Sequence, residues 1–178
     1  MIERRMIACG MLTTALLFLN AISTAAGASC ATWMASLKDY DDAFERVMRG
    51  EPEDLLRLVR EAREPGRKAG ALETVEGKLA GLRGIAPPAE LAPLHGKLIA
   101  FAEAVAEAVQ DAPAIGAGAK AAAPRPCYET LLDYYLELRD LMVEHNCRGG
   151  DLEALTQRII PQLEALLHEG PENEVAGE

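Results

Sequence analysis

The sequence predicts an all-α protein, an up-and-down antiparallel bundle of four to six helices. Ala, Leu, Glu and Arg, which favour helices, make up much of the chain. Apolar residues recur every three or four positions, and the sequence lacks the long apolar-polar alternation that is typical of strands. Short breaks containing Gly or Pro separate the periodic segments, so neighbouring helices are expected to pack in opposite directions.

The first 28 residues have the three-part layout of a secretory signal peptide. A start with two arginines precedes an apolar stretch that ends near Ile22. Small residues follow, and Ala26 and Ala28 fit a signal-peptidase site before Ser29. We therefore expect cleavage at this point and export, which would make the mature chain a periplasmic or secreted protein.

The mature chain would be acidic and long enough for one domain. Cleavage would leave 150 residues, with 16 basic and 27 acidic side chains and a net charge of −11. Such a surface repels phosphate backbones and anionic headgroups, which argues against nucleic-acid binding and electrostatic docking to lipid. No later apolar run reaches the roughly 20 residues that span a bilayer, so we expect no transmembrane segment after cleavage.

Cys30 allows a second interpretation of the signal peptide, as that of a lipoprotein. Residues 27–30 read Gly-Ala-Ser-Cys, and two small residues before a cysteine are typical of lipoprotein signals. Those signals carry a branched apolar residue where this chain has Gly27. A lipid anchor at Cys30 is therefore the weaker of the two interpretations.

Four helices are predicted in the first part of the mature chain, over residues 32–49, 52–63, 67–83 and 89–110. Gly50 ends the first helix and Pro65-Gly66 ends the second. Pro87-Pro88 ends the third, because the residue before a proline is pushed out of helical geometry. The fourth has the most regular apolar spacing. Its predicted inner face consists of Leu91, Leu94, Leu98, Phe101, Ala102, Val105 and Val109.

The second part of the chain is predicted to hold a linker, two helices and a tail. Residues 111–126 are mostly Ala, Gly and Pro with no apolar periodicity, which indicates a mobile surface linker. Helices are expected over residues 128–145 and from Asp151 to about 169, the second one kinked at Pro161. The bundle domain would thus span residues 29–169, and the acidic residues 170–178 would be disordered.

The spacing of the three mature cysteines limits the disulfides that they can form. Cys127 and Cys147 bracket one helix, which holds them roughly 30 Å apart, so they cannot pair with each other. If any disulfide forms, Cys30 must then be the partner of one of them. Cys127 is its neighbour if every earlier break reverses the chain, and Cys147 is its neighbour if Gly50 or Pro65-Gly66 is only a kink. We favour the kink and the pair Cys30–Cys147, a bond that would exclude a lipid on Cys30.

The sequence contains none of the common catalytic or cofactor motifs. It has no Cys-x-x-Cys-His for covalent haem, no Gly-x-Ser-x-Gly nucleophile motif and no pair of histidines at metal-binding spacing. Haem or a metal would need ligands inside the bundle, and the candidates are Met48 and His95. Met48 faces inward, whereas His95 lies at the border of an apolar face. Core packing explains both more simply, so we expect no cofactor, no metal and no enzymatic activity.

An acidic stripe on the fifth helix is the candidate interaction surface, formed by Glu129, Asp133, Glu137 and Asp140. Like charges at helical spacing repel slightly, so a cationic partner would fit there, although solvation also explains the stripe. We therefore expect a non-enzymatic interaction or accessory module that binds an unidentified protein of the bacterial cell envelope. The alternative is a periplasmic bundle that holds haem, a metal or a small apolar molecule between its helices. A preformed internal cavity with Met48 or His95 pointing into it would favour the alternative. A dense core with an exposed apolar or acidic patch, for instance near Pro161, would favour the interaction module.

Overall fold

The computed structural model describes residues 30–113, 123–148 and 151–168, and within them all regular structure is helical. The six helices are α1 (Lys38–Met48), α2 (Leu55–Glu61), α3 (Lys68–Arg83), α4 (Ala92–Asp111), α5 (Arg125–Glu144) and α6 (Asp151–His168). Residues 30–36 form a further helical segment that precedes α1. The all-α fold class is confirmed, whereas the up-and-down antiparallel order of the whole bundle stays a prediction.

Several predicted segments lie outside the described residues. These are the leader over residues 1–28, most of the linker and the acidic tail over 170–178. Both ends of the predicted linker belong to helices, since α4 extends to Asp111 and α5 begins at Arg125. Pro126 is accommodated in the first turn of α5, where a proline removes no helical hydrogen bond.

The break at Gly50 is a kink rather than a hairpin. Arg49 ends α1 in the left-handed region with φ of 50°, and a capping box between Glu51 and Asp54 starts the short turn that leads into α2. Tyr40 in α1 hydrogen-bonds to a residue near the start of α4, while Arg63, beyond α2, lines a recess with residues at the end of α4. The chain therefore continues along α4 in one direction through the break.

The chain does turn back after Pro65-Gly66. Lys68 at the start of α3 donates a hydrogen bond to the carbonyl of Ala112, just beyond α4, at 3.1 Å. The carbonyl of Leu82, near the end of α3, lies 3.0 Å from the His95 ring near the start of α4. The start of α3 therefore lies beside the end of α4, and the end of α3 lies beside the start of α4.

The core centres on α4, which packs against α2, α3 and α5. Its predicted inner face is confirmed, because all seven predicted residues are buried: Leu91, Leu94, Leu98, Phe101, Ala102, Val105 and Val109. Of the helices that the structure describes, none has both the length and the apolar content to cross a bilayer.

Two glycines of α3 give a test of how closely α1 packs on this helix. A Cβ at Gly81 would lie 2.8 Å from Cγ1 of Val47, whereas a Cβ at Gly77 would meet nothing within 4 Å. We expect Gly77→Ala to raise the free energy of unfolding by about 1 kcal/mol, because Ala favours the helix. Gly81→Ala should lower the free energy of unfolding by about 1 kcal/mol. The steric overlap with Val47 costs more than the gain in helix propensity.

Chemical denaturation of the two variants measures these differences. Adding Val47→Ala to the Gly81→Ala variant should remove much of the overlap and recover stability. Equal stabilisation by the two glycine substitutions would contradict the close contact between α1 and α3.

Candidate functional site

A cleft of about 530 Å³ lies among the segment 30–36, α1, the start of α4, α5 and α6. Its wall is mainly apolar. Six leucines line it: Leu37, Leu91, Leu94, Leu138, Leu152 and Leu155. The elements that form it are far apart in sequence and are brought together by the burial of their apolar faces.

Aromatic side chains are concentrated in this cleft. Trp33, Tyr40, Phe44, Tyr134 and Tyr135 line it, which is five of the eight aromatic residues in the chain. Aromatic residues make up only 4% of the sequence, so their gathering on one surface distinguishes this cleft from the rest of the molecule. The rings of Tyr134 and Tyr135 meet edge to face, with centroids 5.2 Å apart.

Trp33 lines the cleft with a side chain that is almost wholly buried. The side chain is 6% exposed, and its ring stacks on His145 with centroids 4.3 Å apart. Its indole Nε1–H has no hydrogen-bond partner among the described residues. Buried donors are almost always paired, because an unpaired one loses its hydrogen bond to water. The nitrogen itself has almost no solvent-accessible surface, so this donor is covered by protein rather than presented to the cleft.

The phenol groups of the cleft are protonated at neutral pH. Burial raises the pKa of Tyr40 to about 12. Tyr135 donates a hydrogen bond to the Glu53 carboxylate, and burial together with this bond raises its pKa far above the usual range. The pKa of Glu51 is raised by partial burial and by the nearby negative charges of Glu53 and Asp54. Carboxylates are thus crowded together at this end of the cleft.

The charged lining residues of the cleft are mostly acidic. Asp41, Glu45 and Glu51 contribute three carboxylates, and Arg49 contributes one guanidinium group. All four side chains are exposed. The mouth therefore carries an excess of negative charge over an aromatic interior.

Met48 and His95, the candidate ligands for haem or a metal, are buried, but neither lines the cleft. His95 lies inside the core rather than at its border, with 5% of its surface exposed. Its Nδ1 accepts a hydrogen bond from the Tyr40 hydroxyl at 2.9 Å, and its Nε2–H donates to the Leu82 carbonyl at 3.0 Å. Burial lowers its pKa. Both ring nitrogens are thus engaged in hydrogen bonds between helices.

The disulfide joins Cys30 to Cys147, the pair favoured by the sequence, with Cα atoms 5.0 Å apart. It ties the segment that carries Trp33 to the end of α5 and so holds one wall of the cleft. Cys127 is free and buried, and its thiol lies 3.5 Å from the Ala104 carbonyl. Burial raises the pKa of Cys127 to about 11, so the thiol stays protonated at neutral pH.

The predicted acidic stripe on α5 is partly neutralised within the chain. Arg125, Lys97 and Arg139 lie within ion-pair distance of Glu129, Glu137 and Asp140, respectively, at 2.8, 4.0 and 2.9 Å. Asp133 is exposed. A cationic partner would have to compete with these pairs, so the stripe is less available than its sequence pattern indicates.

No family model matches this chain, and no match was found among curated proteins or solved structures. The part of the chain that the structure describes contains no group of three or more His, Cys, Asp or Glu side chains that could hold a metal ion.

Proposed function

We propose that this chain is an exported, non-enzymatic accessory protein of the bacterial cell envelope that binds a small organic molecule in the aromatic cleft. The observation that carries this proposal is the concentration of aromatic side chains on one concave surface. Ligand sites are characteristically concave and mostly apolar, with a few polar groups that orient the ligand. The acidic residues at the mouth are such groups.

The state of the reactive side chains supports binding rather than catalysis. His95 uses both ring nitrogens for hydrogen bonds within the core. Cys127 is buried as a neutral thiol, and a thiol attacks only as its thiolate. The cleft tyrosines keep their protons at neutral pH because burial raises their pKa values.

The disulfide supports a periplasmic or secreted location, because disulfides persist mainly in oxidising compartments. Its Cys30 sulfur is the atom to which a lipid would be attached. We therefore propose plain signal cleavage before Ser29, without acylation. The meeting of opposite ends of α3 and α4 supports an up-and-down antiparallel order for the bundle.

An interaction module is the second candidate function, and one observation favours it. Val143 on α5 is 60% exposed beside a second recess between α5 and α6, which Met142, Ile160 and Pro161 also line. This surface lies near Pro161, where an exposed apolar or acidic patch would favour an interaction module. Helix α6 continues through that proline as one helix. The partner would be another envelope protein.

Titration with Nile red, a neutral apolar dye, tests ligand binding in the cleft. We expect saturable one-to-one binding that alters the emission of Trp33, because Trp33 lines the cleft and is the only tryptophan in the chain. Leu155→Arg, which puts a charged side chain at the cleft wall, should weaken binding by about tenfold or more.

Leu132→Arg is the matched control, since Leu132 is also partly buried on the core but does not line the cleft. It should leave the affinity for Nile red unchanged. Equal affinities for the wild type and Leu155→Arg would show that the dye binds elsewhere. That result would favour the interaction module over a ligand-binding protein.

A further inference from the structure

We propose that the molecule held in the cleft is an organic cation: a quaternary ammonium or alkylated amine with an apolar body. This inference rests on the proposed function and specifies the chemical class of the ligand. Two features of the cleft support it: the aromatic rings and the carboxylates at the mouth.

The aromatic rings are suited to a positive charge. The face of an aromatic ring carries partial negative charge, so a cation within about 6 Å of the ring centroid is attracted to it. Trp33, Tyr40, Phe44, Tyr134 and Tyr135 together line a cleft of about 530 Å³. Several aromatic rings around one space form the arrangement that recognises quaternary ammonium groups, since such groups have no N–H and cannot be bound by hydrogen bonds.

The carboxylates select against an anion and favour a cation. Asp41, Glu45 and Glu51 outnumber Arg49, the single basic residue among the described side chains that line the cleft. Glu51 also lies close to Glu53 and Asp54, whose charges act against its ionisation and outweigh the opposite effect of Arg158. A bound cation would relieve this repulsion, whereas an anion would increase it.

The apolar wall of the cleft suits the hydrocarbon part of such a ligand. The leucines that line the cleft, such as Leu138 and Leu155, would contact it.

Two esters of equal shape test the charge requirement. Butyrylcholine carries a quaternary ammonium, an ester carbonyl and a short hydrocarbon chain. In 3,3-dimethylbutyl butyrate a neutral carbon replaces the nitrogen and the shape is kept. Calorimetric titration of the oxidised mature protein should show that butyrylcholine binds about tenfold more tightly than the neutral ester. Raising the salt concentration should weaken the binding of butyrylcholine.

Variants at the mouth of the cleft locate this preference. The double variant Asp41→Asn/Glu45→Gln should weaken butyrylcholine binding roughly fivefold and leave the neutral ester unaffected. Glu73→Gln/Glu76→Gln is the matched control, because it makes the same change in net charge at two exposed residues of α3 outside the cleft. Equal weakening by both double variants would overturn the site, since only net charge would then matter.

The outcomes separate this inference from the proposed function. Equal or tighter binding of the neutral ester would overturn the cation class and leave a ligand-binding cleft in place. Binding of Nile red but of neither ester would also overturn the cation class. Failure of all three to bind would overturn both proposals.

Discussion

Replacing Cys30 and Cys147 by serine is expected to lower the free energy of unfolding by about 4 kcal/mol. The bond joins residues separated by 117 positions. In the chain-entropy account, a cross-link over so long a loop removes many conformations from the unfolded state, and the stabilisation grows with the length of the loop. The bond also holds the segment that carries Trp33 against the end of α5, so its loss should loosen one wall of the cleft.

Chemical denaturation of the wild type and the Cys30→Ser/Cys147→Ser variant measures this effect. Trp33 emission provides a second signal, because its indole becomes more exposed to water when the cleft wall loosens. Cys127→Ala is the control: it removes the buried free thiol but leaves the bond, and we expect a loss of only about 1 kcal/mol. A loss below about 1 kcal/mol for the double serine variant would contradict a stabilising role for the disulfide.

Replacing His95 by leucine is expected to lower the free energy of unfolding by about 3 kcal/mol. The substitution leaves the Tyr40 hydroxyl and the Leu82 carbonyl without their partner in a largely buried region. Buried polar groups that lose their partner keep the cost of leaving water, which is about 1–3 kcal/mol for each group. Tyr40→Phe is the control, because it removes one of the two hydrogen bonds and should cost about 1 kcal/mol. A loss for His95→Leu no larger than that for Tyr40→Phe would show that the bond to Leu82 contributes nothing.

The pH dependence of stability provides an independent test of His95. Burial lowers the pKa of His95 in the folded state below its usual value of about 6.5. Above that pH the ring is neutral in both states; below it, the unfolded chain takes up a proton that the folded chain resists. Stability should therefore fall as the pH drops below about 6.5.

Urea denaturation between about pH 5 and 7.5 measures this slope. His95→Gln, which does not titrate, should flatten the profile just below about pH 6.5. An unchanged slope in the His95→Gln variant would mean that His95 titrates alike in both states.

The number and approximate limits of the helices were predictable because their ends are set locally. Gly50, Pro65-Gly66 and Pro87-Pro88 mark real ends of helices, since glycine and proline act on the backbone at their own positions. The favoured disulfide was predictable for a geometric reason. A helix holds Cys127 and Cys147 apart, and a kink at Gly50 leaves Cys147 beside Cys30.

The cleft was not predictable, because it depends on how helices distant in sequence are placed. Trp33, Tyr40 and Phe44 have the spacing of a core stripe, and the sequence does not show that the packing leaves space beside them. A usable signal was present in the composition: few aromatic residues, most of them on two predicted helices. His95 was placed at a border for the same reason, since its partners belong to other helices.

The burial of Cys127 affects which disulfide can form if the chain is exported. During export from the N-terminus, Cys30 would emerge first and Cys127 would emerge before Cys147, so the wrong pair would be available earlier. Disulfide exchange requires a thiolate, and packing of α4 on α5 buries the Cys127 thiol and raises its pKa to about 11. Once α4 packs on α5, the Cys127 thiol is therefore a poor competitor of Cys147 for Cys30. The wall of the proposed ligand site that carries Trp33 would then be tethered only after the Cys30–Cys147 bond has formed outside the cytoplasm.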